Sequence, residues 1–387
     1  MKYKLQDIAE VTMGQSPKSE FYNTDGNGIP FLQGNRTFGL KYPTFDTFTT
    51  MVTKIAKAGD VIMSVRAPVG DLNITPVDIC LGRGVCSLRM KNGNQEFLYY
   101  MMKYYMPQLI NKESGTVFGS VNRNDINGLE IDIPDDIERQ RKIARLLAMI
   151  DEKIQVNGEI NNNLEQQIVI IYKNFVTKSN WSMVTISDIA QKVAMGPFGS
   201  NIKVSTFVPK GVPIISGNHL RGYFLEEPEF NYITEAHAER LKNSIVYPRD
   251  LIFTHAGNIG QVAMIPDNCK FERYVLSQRQ FYLRCDETKV VPEFLLMFFH
   301  SVVGQHELLS YANQTGVPSI AQPASNLKKI QFKCPSFSEQ AVWKAQIKPL
   351  LDLYLNNKHE NEKLALLRDI LLPKLISGKL DVSNLDL

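Results

Sequence analysis

The sequence predicts an α+β protein in which two similar mixed α/β domains are separated by two long helices that form an antiparallel coiled coil. The whole is built by internal duplication. Three observations carry this expectation. Blocks of sequence recur in the same order in both halves, each copy holds short β-rich runs bounded by Gly, Pro or Asp, and each copy is followed by a long apolar seam at coiled-coil spacing.

The repeats come first. LQDIAEVTMG (5–14) is echoed by ISDIAQKVAMG (186–196), and GIPFLQGNRTFG (28–39) by GVPIISGNHLRG (211–222). GDVIMSVRAPVG (59–70) returns as RDLIFTHAGNIG (249–260), and LEIDIP (129–134) as IQFKCP (330–335). Any one pair of shared glycines could arise by chance, but the same order in both halves marks a duplication.

Within each copy, VIMSV, VCSLR, LIFTH and FYLRC are rich in β-branched and aromatic residues and predict strands. One helix is expected over QEFLYYMMKYYMPQLI (95–110), and another over PEFLLMFFHSVVGQHELL (292–309). The aromatic cluster YYMMKYY is read as core packing. The expected boundaries are a first domain over 1–134, a first long helix over 135–178, a second domain over 179–335, and a second helix with its tail over 336–387.

Alternating steps of four and three from Ile143 give Ile143, Leu147, Ile150, Ile154, Asn157, Asn161, Leu164, Ile168, Ile171 and Phe175. Adding 200 gives Trp343, Ile347, Leu350, Tyr354, Asn357, Asn361, Leu364, Arg368, Leu371 and Leu375. This is an a/d seam, interrupted by two Asn at the same places in both helices and by Arg368 in the second. Asn and Gly are poor helix formers, so a centre reading Asn157-Gly158…Asn161 needs a reason. Antiparallel packing supplies one: Asn157 then meets Asn361, Asn161 meets Asn357, and the amide pairs lock register. A spacer of some 33 residues at ~1.5 Å per residue spans roughly 50 Å.

Composition excludes several classes. At 44% hydrophobic and 21% charged the chain is ordinary for a soluble globular protein. MKYKLQDIAEV holds no signal-peptide core, and no apolar run is long enough to span a membrane. Cys80, Cys86, Cys269, Cys285 and Cys334 are odd in number and lack a CxxC pair, which argues against a disulfide framework or structural zinc and for the cytoplasm. The net charge of +3 divides almost evenly between the halves, so charge alone announces no nucleic acid. There is no phosphate-loop motif and no Pro-Pro, hence no Pro-Pro-aromatic methyltransferase tetrapeptide. All six histidines lie in the second half, so a duplicated His site is excluded. Neither a catalytic site nor a metal site is expected.

The chain resembles the specificity subunits of type I restriction–modification enzymes. The resemblance covers nearly the whole sequence. It rests on the paired G(I/V)P…GN segments, the GDV…VRAPVG-like segments, a proline followed by an E-x-Q or EQ helix start (IERQRKI, SEQAVW), and the closing LRDILLPKLISGKL. The second VRAPVG-like segment departs from the pattern as THAGNIG.

The resemblance implies that the domains are target recognition domains, each reading one half of a bipartite double-stranded DNA sequence, and that the helices set the unread spacer. It implies a subunit without catalytic activity or cofactor of its own. Its partners would be two modification (methyltransferase) subunits using S-adenosylmethionine on adenine, and restriction/translocase subunits using ATP and Mg²⁺. The competing reading is a duplicated coiled-coil interaction scaffold that binds a ligand or peptide.

Base edges are read chiefly by Arg, Lys, Asn and Gln, so polar residues in Gly-bounded loops are the candidates. They are Gln33, Asn35, Arg36, Arg66, Arg83, Thr116 and Arg123 in the first domain, and Asn218, His219, Arg221, Arg279, Gln314 and Thr315 in the second. Asn35 and Asn218 occur in both copies and suit loop building or phosphate contact, whereas Gln33, Arg36, His219 and Arg221 differ between copies and suit specificity.

Overall fold

A computed structural model describes residues 1–110, 119–177, 181–227, 229–313 and 316–382. The chain divides into two compact units, Met1–Ile160 with Asn356–Leu387, and Asn161–Leu355. Each unit takes one half of each long helix.

The first unit is closed by its own outer strands, Lys2–Lys4 pairing antiparallel with Glu130–Asp132 so that Tyr3 faces Ile131. Inside, Ala9–Met13, Val85–Met90, Val61–Ser64 and Leu72–Ile74 form an antiparallel sheet in that order. Val61–Ser64 is buried at every position because both faces are covered. Val61 and Met63 join the core under the helix Gln95–Ile110, while Ile62 joins a second core with Leu32, Ile79 and Leu81. A continuous apolar run is what a strand between two cores requires. A five-stranded sheet carries the parallel pair Ile29–Leu32 and Ile79–Leu81.

The second unit repeats this plan. Ser182–Thr185 pairs with Gln331–Cys334, and Ala190–Met195, Gln280–Cys285, Leu251–Thr254 and Val262–Met264 form the matching antiparallel sheet. Here Phe253 and Phe281 face the helical core while Ile252 and Tyr282 face the other. Val212–Ile215 runs parallel to Tyr274–Leu276.

The helix expected over 95–110 is found as Gln95–Ile110, and its Tyr99, Tyr100, Met101 and Met102 are fully buried. The single helix expected over 292–309 is instead two, Pro292–His300 and Val302–Leu309. Ser301 interrupts it in an extended conformation, its hydroxyl donating to Phe298 O at 2.6 Å and accepting from Gly304 N at 3.1 Å. The break brings Gly304 so close that an added Cβ would lie 1.9 Å from Phe298 O.

The long helices are Ile137–Val176 and Phe337–Ile376, 40 residues each. The second starts on a capping box in which Ser336 Oγ accepts from Glu339 N and the Glu339 carboxylate accepts from Ser336 N at 2.8 Å. Within the first unit, Asn157 Nδ2 donates to Asn361 Oδ1 at 2.9 Å, Asn361 Nδ2 to Ile154 O at 3.1 Å, and Arg368 to Asp151 at 2.8 Å. Partner numbers fall as residue numbers rise, so the two helix segments run antiparallel. Within the second unit, Asn161 Nδ2 donates to Tyr354 O at 3.1 Å, and Trp343 sits against Phe175 and Tyr172. That order is antiparallel too. Asn157, Asn161 and Asn357 are all buried.

Candidate nucleic-acid interface

In the first domain the parallel strands Ile29–Leu32 and Ile79–Leu81 both end in candidate loops. Gly82 N donates to Leu32 O at 2.8 Å, Gly84 N to Gln33 O at 3.0 Å, and Gly14 N to Val85 O at 3.0 Å. Three backbone segments cross at this point. An added Cβ would lie 2.0 Å from Gly82 O at Gly14, and 2.4 Å from Gln33 O at Gly84, so only glycine fits. Val65 N donates to Gly84 O at 2.9 Å, which adds the strand end that carries Arg66.

Exposed side chains stand on this crossing. Ser16 Oγ donates to Gln33 Oε1 at 2.8 Å and accepts from Arg83 N at 3.0 Å, tying Gln33 and the Arg83 loop together. Gln33, Arg83, Ser16 and Lys18 line one open cleft. Arg66 is exposed, and its backbone bridges to Ser120. Arg36 is exposed and paired with Asp46 at 2.8 Å. The hydrogen bond from Arg36 holds the Asp46 carboxyl below the usual carboxylate range. Asn35 donates to the Asp71 carboxylate and lines an adjoining cleft with Asn73 and Lys103.

The second domain builds the same crossing. Ser277 N donates to Ile215 O at 2.8 Å, Gly196 N to Gln280 O at 2.8 Å, and His255 N to Arg279 O at 2.9 Å. An added Cβ on Gly196 would lie 2.0 Å from Ser277 O. These bonds equate Gln278 with Arg83 and Arg279 with Gly84. Asn218, Arg221 and Arg279 are exposed.

Two candidates are corrected by their positions. His219 is buried at 4% exposure, its ring stacked on Phe230 at 4.5 Å and its Nδ1 accepting from Ser216 N at 2.9 Å. Burial pushes its pKa down. It supports the loop from beneath, so a base-reading role does not fit its position. Arg123, placed by sequence in a loop, opens the short helix Arg123–Asn127, and its guanidinium donates to Val11 O at 2.9 Å. Thr116, Gln314 and Thr315 lie outside the described residues.

Sequence reasoning missed Ser16 and Gln278. Ser16 follows the repeated Met-Gly of 13–14 and 195–196, which is the signal that could have found it. It also missed an ion pair on a buried aspartate present in both copies, Arg89–Asp60 at 2.7 Å and Arg284–Asp250 at 2.6 Å. Burial raises the pKa of both aspartates, and the arginines work against that rise. A third feature is the joint to each long helix. Gln140 Nε2 donates to Pro134 O at 2.7 Å, and Gln340 Nε2 to Pro335 O at 2.9 Å. Among the described residues there is no cluster of His, Cys, Asp and Glu suited to a metal, and no helix long and apolar enough to cross a membrane.

The chain matches the family model described as type I restriction modification DNA specificity domain over residues 1–166 and again over 178–366. It is 22% identical over 423 aligned positions, covering 99% of this chain and 94% of the relative, to the type I restriction enzyme MjaIX specificity subunit of Methanocaldococcus jannaschii. A putative MjaX specificity subunit of the same organism is 35% identical over 159 residues, which cover 41% of this chain and 37% of that relative. The fold resembles the crystal structure of a type I restriction–modification S subunit from M. genitalium, with a TM-score of 0.61, 15% identity, and 97% of this chain and 96% of that chain covered. Two copies of one domain, each on its own glycine crossing and each matched by the same family model, place this chain in the family of type I restriction–modification DNA specificity subunits.

Proposed function

We propose that each domain reads one half of a bipartite duplex target through the loops at its glycine crossing, and that the long helices set the length of the unread segment. The chain acts without catalysis or cofactor of its own, in the cytoplasm. Two modification subunits methylate adenine with S-adenosylmethionine, and restriction/translocase subunits use ATP and Mg²⁺, on the target that this chain selects. The observation that carries the reading is a shared scaffold with different side chains. Matching backbone bonds present Gln33, Arg83 and Arg66 in one domain, but Ser216, Gln278 and Ala256 in the other. Arg and Gln suit different base edges, guanine O6/N7 and adenine N6/N7 respectively.

The test is methylome sequencing of cells that carry the chain with its modification subunits. Arg83→Ala is expected to relax bases in one half-site and leave the other half-site unchanged. A change in both half-sites, or in neither, counts against the reading. The scaffold alternative is separated by salt: affinity for duplex DNA should fall linearly in log–log form as salt rises, because phosphate contacts release counterions. Affinity independent of salt favours the scaffold.

A further inference from the structure

The two long helices are repeats of each other, so each could in principle pair with a second copy of itself. Asn157 and Asn161 would then meet across two first helices as well as Asn157 meets Asn361 in one chain, since the Asn positions are the same in both helices. The Asn157–Asn361 pair therefore fixes register without choosing the partner. Something else must choose it.

The first unit holds a buried polar triad at its seam. Arg368 donates to Asp151 Oδ1 at 2.8 Å, and Tyr100 Oη donates to Asp151 Oδ2 at 2.8 Å. Asp151 is 3% exposed and Tyr100 fully buried, so the carboxylate is held away from water with direct bonds to Arg368 and Tyr100. The repeat gives the corresponding residues of the second unit. Residue 151 corresponds to Leu351, 368 to Ile168, and Tyr100, four residues after Glu96 in a shared Glu-Phe-Leu, to Met297. Ile168, Met297 and Leu351 line one cavity in the second unit, beside Phe224, Leu296 and Ile347 and with Glu165 and Glu293 at its wall. The whole triad is thus replaced, residue by residue, with an apolar one. A second pair follows the same rule: Lys153 and Glu360 approach to 3.3 Å, and their counterparts are Leu353 and Ile160.

We infer that Tyr100, Asp151 and Arg368 are a pairing key: they make the early part of the first long helix accept the late part of the second and refuse a second copy of the first helix. Self-pairing of two first helices sets each Asp151 against Ile168 of the other copy. Self-pairing of two second helices sets each Arg368 against Leu351. Either arrangement buries charge opposite hydrocarbon, twice, and a buried charge without a partner is strongly unfavourable. Native pairing alone matches ion with ion and hydrocarbon with hydrocarbon. The inference rests on helix contacts and is independent of the DNA-reading proposal.

The test uses the full chain. Ile154→Cys with Leu164→Cys places two thiols opposite each other only when two first helices from different chains pair. Light and ¹⁵N-labelled chains are mixed, denatured, refolded and oxidised, and mixed-isotope 154–164 crosslinks are counted by mass spectrometry, so native cysteines do not interfere. In the otherwise native background such crosslinks are expected to be rare. With Asp151→Leu, Arg368→Ile and Tyr100→Met added, they are expected to rise at least tenfold. Equal yields in both backgrounds overturn the inference. If the apolar variant fails to fold, the exchanged pair Asp151→Arg with Arg368→Asp serves instead. It should keep interchain crosslinks at the native level while either single change raises them, and equal yields across that series also overturn it.

Discussion

Gln340 joins the second domain to its helix by two buried bonds: its Oε1 accepts from Val291 N at 2.8 Å, and its Nε2 donates to Pro335 O at 2.9 Å. Gln140 makes the corresponding joint in the first domain, with Nε2 on Pro134 O at 2.7 Å and Oε1 accepting from Asn92 Nδ2 at 3.1 Å. Gln340→Ala leaves the Val291 N–H and the Pro335 carbonyl without this partner. The expected cost is about 1–3 kcal/mol of stability by denaturant unfolding. Gln340→Glu should also destabilise, because a carboxylate cannot donate to Pro335 O. Wild-type stability in both variants would show that the joint is incidental.

The Asn pair gives a second prediction. Asn157→Leu alone deprives Asn361 Oδ1 and Glu360 of a donor in the seam, at a cost of about 1–3 kcal/mol. Asn157→Leu with Asn361→Leu should recover most of that loss, since replacing both partners by apolar groups is close to neutral. Thermal melts of the two singles and the double form a cycle. Additive losses would mean that the amides do not act as a pair.

At the crossings, Gly14→Ala and Gly196→Ala each force a Cβ to within 2.0 Å of a backbone carbonyl oxygen. Gly34→Ala meets nothing within 4 Å. The first two should destabilise their domains by about 1–3 kcal/mol or more and disturb the loops, and the third should be near neutral. Hydrogen exchange of the backbone at residues 82–85 and 277–280 reads the difference locally. Full protection in Gly14→Ala would contradict the crossing.

Acid should act on the second domain selectively. Burial lowers the pKa of His219, His255 and His300 below the usual imidazole value. The unfolded chain protonates these groups near pH ~6.5, before the folded chain does, so the unfolded state binds more protons as pH falls and stability drops from there downward. The melting midpoint of the second domain should therefore fall between pH 7.5 and 5.5. The first domain has no histidine and should hold. His300→Gln should flatten the second domain's slope. Parallel slopes in both domains would rule this origin out.

Much of the fold could be read from sequence because its signals are local. Helix Gln95–Ile110 and strands Val61–Ser64 and Leu251–Thr254 lie where their apolar runs put them, and the 200-residue offset of the long helices emerges from the seam alone. The misses are contacts between distant residues. Nothing near Arg89 points to Asp60, and nothing near Gln340 points to Val291. His219 differs from its counterpart Arg36, yet a difference between copies says nothing about depth, and Phe230 stacks on its ring. Ser301 breaks a helix whose pattern continues through it, because its hydroxyl offers the backbone another partner.

The pairing of Lys2–Lys4 with Glu130–Asp132 also orders events on the ribosome. Chains are made from the N-terminus, and domains fold as units during synthesis. The first domain can close its outer strands once residue 132 has emerged, but Leu375 and Ile376, which complete the core shared with Ile143 and Leu147, are made only after the entire second domain. Until then a row of Ile and Leu on the nascent first helix stays open to water, to chaperones and to neighbouring nascent chains. The same long wait is when a helix that resembles its own partner is most exposed to the wrong one.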